Sequence, residues 1–509
     1  MSASVPATSP RPLRLELLVN FAGTGWSALV QLACIPVFLA MLGAERYALL
    51  AFATTMSLAL KALDLGVSHT ANRELAARTA SGRTEGAREL LRTLEVAYTL
   101  VGMLLGGALA AGAPLVANRW FGASALGTEA VTTAVRLIGL FIAMQWPLSL
   151  YQSALLGLGR ATTMNGLAIA SSTLAGGGAV VLLVVGHRSL AVVLAWQSLV
   201  AAGHTLAAAI ATHRALPSDA RRARVRIDVL HELRATMTGV GALTLSLLVL
   251  LQIDKLLSSR WLPLASYGYY MLAATVSNGL GVLSAPLFNT MLPRFSALAA
   301  GGDDARLAAE FRRSTRLLAL LVFPAMITVG SMAPDIVRLW THDAATAQVV
   351  APIATLLLLG MGSASLLQLA MALQMATGRT RRGVLLHTLL AAAVIGLGGA
   401  AARYGAVGVA ATWASLLAIG AVGGATAIRH QQLGAGSGRW LVVDVLRPLA
   451  AMLVVVVVAW PLLRVPLTGP LALLRLAGLG GALTLVVAVV SGVTFSLLRS
   501  VLSPIPRAS

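Results

Sequence analysis

The chain has 509 residues, of which 58% are hydrophobic and only 11% charged, and its net charge is +20. With a mean hydropathy of +0.84 it holds too few charges to coat a soluble surface, for which roughly 25% charged residues is usual. A nucleic-acid partner is excluded too, because the basic residues fall in short segments between apolar runs and not on one face or stripe.

Runs long enough to cross about 30 Å of hydrocarbon as helix occur first at 15–42, 47–66, 94–116, 135–156, 163–186 and 189–211. Six more follow at 236–258, 266–290, 317–339, 349–371, 383–402 and 406–428, and two others at 445–463 and 471–498. The pattern predicts an all-α polytopic membrane protein of about 14 transmembrane helices. Its expected parts are a tail (1–14), a six-helix bundle (15–211), a linker (212–235), a second six-helix bundle (236–428), a linker (429–444), two further helices (445–498) and a tail (499–509). The glycines of Gly434-Ala435-Gly436-Ser437-Gly438 make the second linker flexible in this reading. Cys34, the single cysteine, leaves no disulfide framework, and the first run is too long for the apolar core of a cleaved signal peptide.

Cytoplasmic loops carry the excess of Lys and Arg. Of the 38 basic residues, 27 lie on the side of the termini and seven on the opposite side, the latter being Arg46, Arg119, Arg188, Arg260, Arg338, Arg403 and Arg464. Both termini are therefore expected in the cytoplasm.

A shift of 220 residues lays Leu42-Gly43-Ala44-Glu45-Arg46-Tyr47 on Leu262-Pro263-Leu264-Ala265-Ser266-Tyr267, Ser81-Gly82 on Gly301-Gly302, and Arg92 on Arg312. Slipped by one, Leu158-Gly159-Arg160 meets Thr377-Gly378-Arg379. Six spans separate the copies, so the halves are expected to share orientation about a pseudo-twofold axis along the membrane normal. Transporters built this way place substrate between the halves and rock them. Spans 13 and 14 stand outside the repeat.

Enzyme chemistry is not in view. The two lysines, Lys61 and Lys255, do not follow glycine, so no Gly-Lys-Ser/Thr phosphate loop exists. Nor is there a Gly-x-Ser-x-Gly or His-Glu-x-x-His signature. No cofactor is expected.

Charged groups within a span are costly and usually face a polar cavity. Asp254 and Lys255, next to Gln252 in span 7, point about 100° apart as helical neighbours, so each is expected to need a partner other than the other. Lys61 and Asp64 in span 2 stand three apart on one face, where they can pair. Asn20, Gln31, Gln145, Gln152, Gln197, Asn278, Asn289, Gln368 and Gln374 recur within spans. Together they could line a cavity that hydrogen-bonds sugar hydroxyls. Pro36 and Pro286 each remove a helix hydrogen bond and are hinge or lateral-gate candidates.

At this point the residues resemble a known family. Asn20-Phe21-x-Gly23, Pro36-x-Phe38, Leu42-Gly43-x-Glu45-x-Tyr47, Leu63-Asp64-Leu65-Gly66, Asn72-Arg73-Glu74-Leu75-Ala76, Gly157-Leu158-Gly159-Arg160, and Asp254-Lys255 followed by Tyr267-Gly268-x-Tyr270 resemble the polysaccharide-biosynthesis flippases of the multidrug/oligosaccharidyl-lipid/polysaccharide superfamily. The resemblance implies transfer of a polyprenyl-diphosphate-linked oligosaccharide across the bacterial inner membrane for O-antigen, capsule or exopolysaccharide assembly. It implies membrane lipids, a polysaccharide polymerase and chain-length machinery as partners. With no nucleotide site, the expected driving force is a proton or sodium gradient acting through an intramembrane carboxylate such as Asp254, or the pull of substrate consumption outside. The alternatives are a flippase for the lipid-linked peptidoglycan precursor and a cation-coupled multidrug exporter.

Overall fold

The computed structural model describes residues 13–64, 67–80, 84–121, 124–216, 225, 240–434, 436–463 and 470–492. Among them every regular element is helical. The chain divides into two compact units, Met1–Thr238 and Gly239–Ser509.

The first unit opens with α1 (Leu13–Leu42), turns at Gly43 with φ 80°, and continues through α2 (Ala44–Lys61) into a 3-10 turn at Ala62–Asp64. There follow α3 (Val67–Ala80), α4 (Thr84–Ala111), α5 (Ala113–Arg119), α6 (Thr128–Gln145), α7 (Leu148–Gly157), α8 (Ala161–Val184) and α9 (Leu190–Ala215). Leu75, Leu90, Leu91, Leu94 and Leu150 bring α3, α4 and α7 together in a core that excludes solvent from each of these side chains. Small residues set the closest approaches, as is usual where lipid offers no hydrophobic drive between helices. A Cβ at Gly106 would collide with the backbone oxygen of Gly139, and one at Gly157 with that of Asn72, which fixes α4 on α6 and α3 on α7.

The second unit comprises α10 (Val240–Trp261), α11 (Leu264–Ala300), α12 (Asp304–Ser331), α13 (Ala333–Thr341), α14 (Ala344–Thr377), α15 (Arg381–Ala401), α16 (Gly405–Ile419) and α17 (Ala425–Leu433). A π-helical stretch, Gly420–Gly424, joins the last two. The chain then forms α18 (Ser437–Trp440), a second π-helical stretch at Leu441–Leu446, α19 (Arg447–Leu463) and α20 (Pro470–Ser491). Asp303 caps α12 by accepting from the Arg306 N–H at 2.9 Å, and Asp343 caps α14 by accepting from Ala345 and Thr346. Such caps satisfy donors that the first helical turn leaves without partners.

The repeat reappears in the element boundaries. Helices begin at 44 and 264, at 84 and 304, at 113 and 333, and at 161 and 381, each pair 220 residues apart. Gly159 and Gly378 both adopt the left-handed conformation, with φ of 68° and 71°. Of the matched glycine breaks, Gly301-Gly302 does separate one helix from the next, while Ser81-Gly82 lies outside the described residues.

By length and composition, 11 helical segments among the described residues can cross a membrane. One of them, Arg381–Leu433, is 53 residues long and is interrupted at Ala402–Tyr404, where Gly405 turns with φ 68°. The reading of about fourteen counts that segment as two spans and adds α2 and α20, which hydropathy and length alone do not select.

The segment expected as a flexible linker is held on both sides. Arg429 donates to Ser437 at 2.8 Å, and Trp440 is buried with its indole N–H on Thr315 at 3.0 Å. Asp444, with no solvent exposure, accepts from Arg312 at 2.9 Å and Arg316 at 2.7 Å. Helices α19 and α20 thus pack on α12, and Arg475 of α20 reaches Asp335 of α13 at 3.7 Å.

Candidate functional site

Within the first unit, α2, α6, α7, α8 and α9 line an open-sided cavity of about 330 Å³. Its polar lining comes from Thr54 and Lys61 on α2, Gln145 at the end of α6, Ser149 and Gln152 on α7, Ser171 and Ser172 on α8, and Gln197 and His204 on α9. Thr54 with Lys61, and Gln197 with His204, are seven apart, two helical turns, and so share a face. Gln145 and Ser149 flank the break at Trp146–Pro147. Proline has no N–H to continue the helix ladder, and Ser149 returns its hydroxyl to the Trp146 carbonyl at 3.1 Å. The polar part of its wall is therefore made of amides, hydroxyls, one imidazole and one ammonium, beside an apolar part from Phe141, Leu148, Val200 and three alanines.

A narrow crevice continues from Lys61 toward Ser57 and Asp64. Lys61 and Asp64 were read as able to pair, and in the structure Asp64 acts on Lys61 only electrostatically, beyond ion-pair distance. Among the described residues Lys61 makes no ion pair, and the Asp64 carboxylate accepts instead from the hydroxyls of Tyr98 and, at 2.6 Å, Ser68. Helix α2 ends at Lys61, so the two residues do not sit on a continuing helical face. Asp64 is oriented by its neighbours while Lys61 faces the open space.

The outer wall of the cavity is tied to α1. Ser27 donates to Ser172 at 3.1 Å and Trp26 to Thr173 at 2.9 Å. Gly23, the glycine of the Asn20-Phe21-x-Gly23 pattern, lets the Asn165 side chain lie against α1.

In the second unit Asp254 and Lys255 are buried, with 0% and 3% exposure. Contrary to the expectation from their 100° offset, they pair with each other at 3.1 Å. The long lysine chain folds back far enough to donate to Leu251 O at 2.8 Å as well, and its ammonium lies 4.9 Å from the Trp413 ring centroid. Tyr270 donates to Asp254 at 2.7 Å. A tyrosine and a tryptophan from neighbouring helices thus satisfy an enclosed ion pair.

The structure places the remaining candidates apart from these groups. Gln31 and Asn278 are exposed on α1 and α11, and the Asn20 side chain lies outside what is described. Gln252 is half-buried and its carbonyl oxygen has no donor among the described residues. Gln374 accepts from the Gly383 N–H at 2.9 Å, joining α14 to α15. Pro36 and Pro286 sit inside α1 and α11, both of which run through them unbroken. Sequence reasoning brought Lys61, Asp64, Gln145, Gln152 and Gln197 forward but missed Thr54, Ser149, Ser171, Ser172 and His204 as members of one site. The seven-residue spacings pointed to Thr54 and His204 and the Trp146-Pro147 break to Ser149, while nothing in the sequence marked Ser171 and Ser172.

A family described as polysaccharide biosynthesis protein matches residues 83–343, just over half of the chain. No curated protein matches it in sequence. The fold is similar to that of the lipid II flippase MurJ in an inward closed conformation, with a TM-score of 0.67 at 13% identity, over 93% of this chain and 98% of that one. It is similar also to an inward-facing multidrug resistance MATE family transporter of the MOP superfamily, with a TM-score of 0.64 at 13% identity, over 80% and 94% of the two chains. A variant of the Vibrio cholerae MATE transporter VcmN aligns with a TM-score of 0.59 at 12% identity, over 83% and 97%.

Proposed function

The chain belongs to the polysaccharide biosynthesis protein family, and from that premise we propose that it is a flippase for a polyprenyl-diphosphate-linked oligosaccharide. It acts in the bacterial inner membrane with both termini in the cytoplasm, moving the saccharide head for O-antigen, capsule or exopolysaccharide assembly. It is a transporter and not an enzyme. The observation that carries the reading is the cavity of about 330 Å³ with its amides, hydroxyls and Lys61. Amides and hydroxyls both donate and accept, as sugar hydroxyls do. Lys61 adds a compact cation suited to a phosphate oxygen.

The prenyl tail stays in lipid throughout. Each buried methylene is worth about 0.8 kcal/mol, so withdrawing a long tail from the bilayer would cost far more than moving the head alone. Coupling to a proton or sodium gradient supplies direction, and removal of the product by a polymerase on the far side adds a pull.

Reconstitution in vesicles with labelled lipid-linked oligosaccharide, with and without each gradient, tests the proposal. The expected result is flipping that accelerates with one gradient and drops in Lys61→Gln. Transport of the peptidoglycan precursor alone, or export of small organic cations without any lipid flipping, would replace this reading with one of its alternatives.

A further inference from the structure

A second cleft of the first unit, about 690 Å³ in volume, is lined by Arg46 at the start of α2, by residues 126–130 leading into α6, and by residues 188–191 leading into α9. Arg46 and Lys61 are fifteen residues apart on α2, about 22 Å at 1.5 Å per residue, so this cleft is distinct from the Lys61 cavity. The charge distribution puts all three of its turns on the side away from the termini. That side has only seven basic residues in the whole chain, yet two of them, Arg46 and Arg188, meet here.

Neither guanidinium forms an ion pair or hydrogen bond with another described residue. Two like charges that share a cleft repel, and a bidentate oxyanion relieves that repulsion. Glu129 lines the same cleft, with the hydroxyls of Thr128, Thr133 and Ser189 beside it. These are acceptors and donors of the kind that hold neutral hydroxyl groups. Helices α6 and α9 also begin here without side-chain caps, which leaves N–H groups and the positive ends of two helix dipoles facing the same space. The volume lies within the roughly 300–1,000 Å³ usual for small-ligand sites.

We propose that this cleft is a saccharide site for an oxyanion-bearing sugar, with Arg46 and Arg188 holding the oxyanion and Glu129 and the hydroxyls holding adjacent sugar hydroxyls. The oxyanion is either the carboxylate of an acidic sugar in the glycan or a phosphate next to the first sugar. The proposal rests on the flippase reading only for the origin of the ligand. Binding is measured without transport, so that the two fail separately.

The full chain in nanodiscs of phosphatidylcholine, which offers no net anionic lipid to compete, is titrated calorimetrically with glucuronic acid, glucose 1-phosphate and glucose. Glucuronic acid or glucose 1-phosphate is expected to bind, and which of them binds tells carboxylate from phosphate. Arg46→Gln and Arg188→Gln should each weaken that binding about tenfold, the equivalent of one charge-assisted contact. Arg46→Lys and Arg188→Lys, which keep the charge and lose the fork, should fall between. Absence of binding by either anionic sugar, glucose binding as tightly as they do, or unchanged affinity in both glutamine variants would each overturn the proposal. Melting of each variant in the same nanodiscs shows that it is folded, and if one variant is not, the other decides the matter.

Discussion

Among the described residues that line the 330 Å³ cavity, Lys61 alone carries a formal charge. Lys61→Gln keeps a hydrogen-bonding group, on a side chain one atom shorter, but removes that charge, so lipid-linked oligosaccharide flipping should fall by about tenfold or more, one lost charge-assisted contact. Because Lys61 makes no ion pair among the described residues and feels Asp64 only at longer range, the melting temperature should move little. A variant that melts early and flips normally when folded would count against the assignment. The Asp254–Lys255 pair should behave in the opposite way. Removing one partner of a buried pair strands the other at a cost of about 3–5 kcal/mol, whereas replacing both by apolar residues is often neutral. Asp254→Ala should therefore melt well below the parent and Asp254→Leu with Lys255→Met close to it; equal melting of all three would show that the pair is not enclosed. At the α14 cap, hydrogen bonds from the Thr346 hydroxyl and N–H, then from the Ala345 N–H, hold the Asp343 carboxyl below its ordinary value of 3.8. A depressed folded value means a contribution present above the ordinary one and lost as pH falls through the folded one. The gap in melting between the parent and Asp343→Ala should accordingly be steady from about pH 7 to 5 and narrow below about pH 4. These residues also mark the limit of legibility. Lys61 and Asp64 stand out in sequence because charge in an apolar run is rare, but whether they pair depends on Tyr98, which comes from a different helix.

Helices were legible because 20-residue apolar runs are hard to mistake, and their doubling was legible at the turns, where glycine or proline is set by backbone geometry. What stayed hidden was which face meets which neighbour. Gly106 and Gly107 are indistinguishable by sequence, yet a Cβ at Gly106 would strike α6 while one at Gly107 would meet nothing within 4 Å. Gly106→Leu should cost about 1–3 kcal/mol by overpacking, and Gly107→Ala should lie within about 0.5 kcal/mol of the parent; thermal unfolding in detergent compares them directly. The cavity was hidden for a related reason. Segment 128–157 of the first unit is broken at Trp146–Pro147, while its counterpart α14 runs unbroken for 34 residues. The two copies thus depart from each other where Gln145, Ser149 and Gln152 are presented, and a repeat found by matching turns does not register an added break.

At the scale of the whole molecule, the 27-to-7 distribution of basic residues predicts that cysteines introduced after residue 212 and after residue 500 are protected from an impermeant thiol reagent applied outside. The native Cys34 is buried and contributes little background. Labelling from outside at either position would overturn this topology, and labelling at both would invert it and move the Arg46–Arg188 cleft to the cytoplasmic side.

Asp444 bears on how the protein is made. Arg316 precedes it by 128 residues, so at roughly 5–20 residues per second of synthesis Arg312 and Arg316 are in place for about 6 to 25 seconds before their carboxylate exists. Throughout that interval the nascent second unit carries two guanidinium groups without this carboxylate, which arrives in the π-helical stretch just ahead of α19. A chain that ends before Asp444 keeps Arg312 and Arg316 without that partner, so losing the C-terminal segment is also a loss of charge balance on α12.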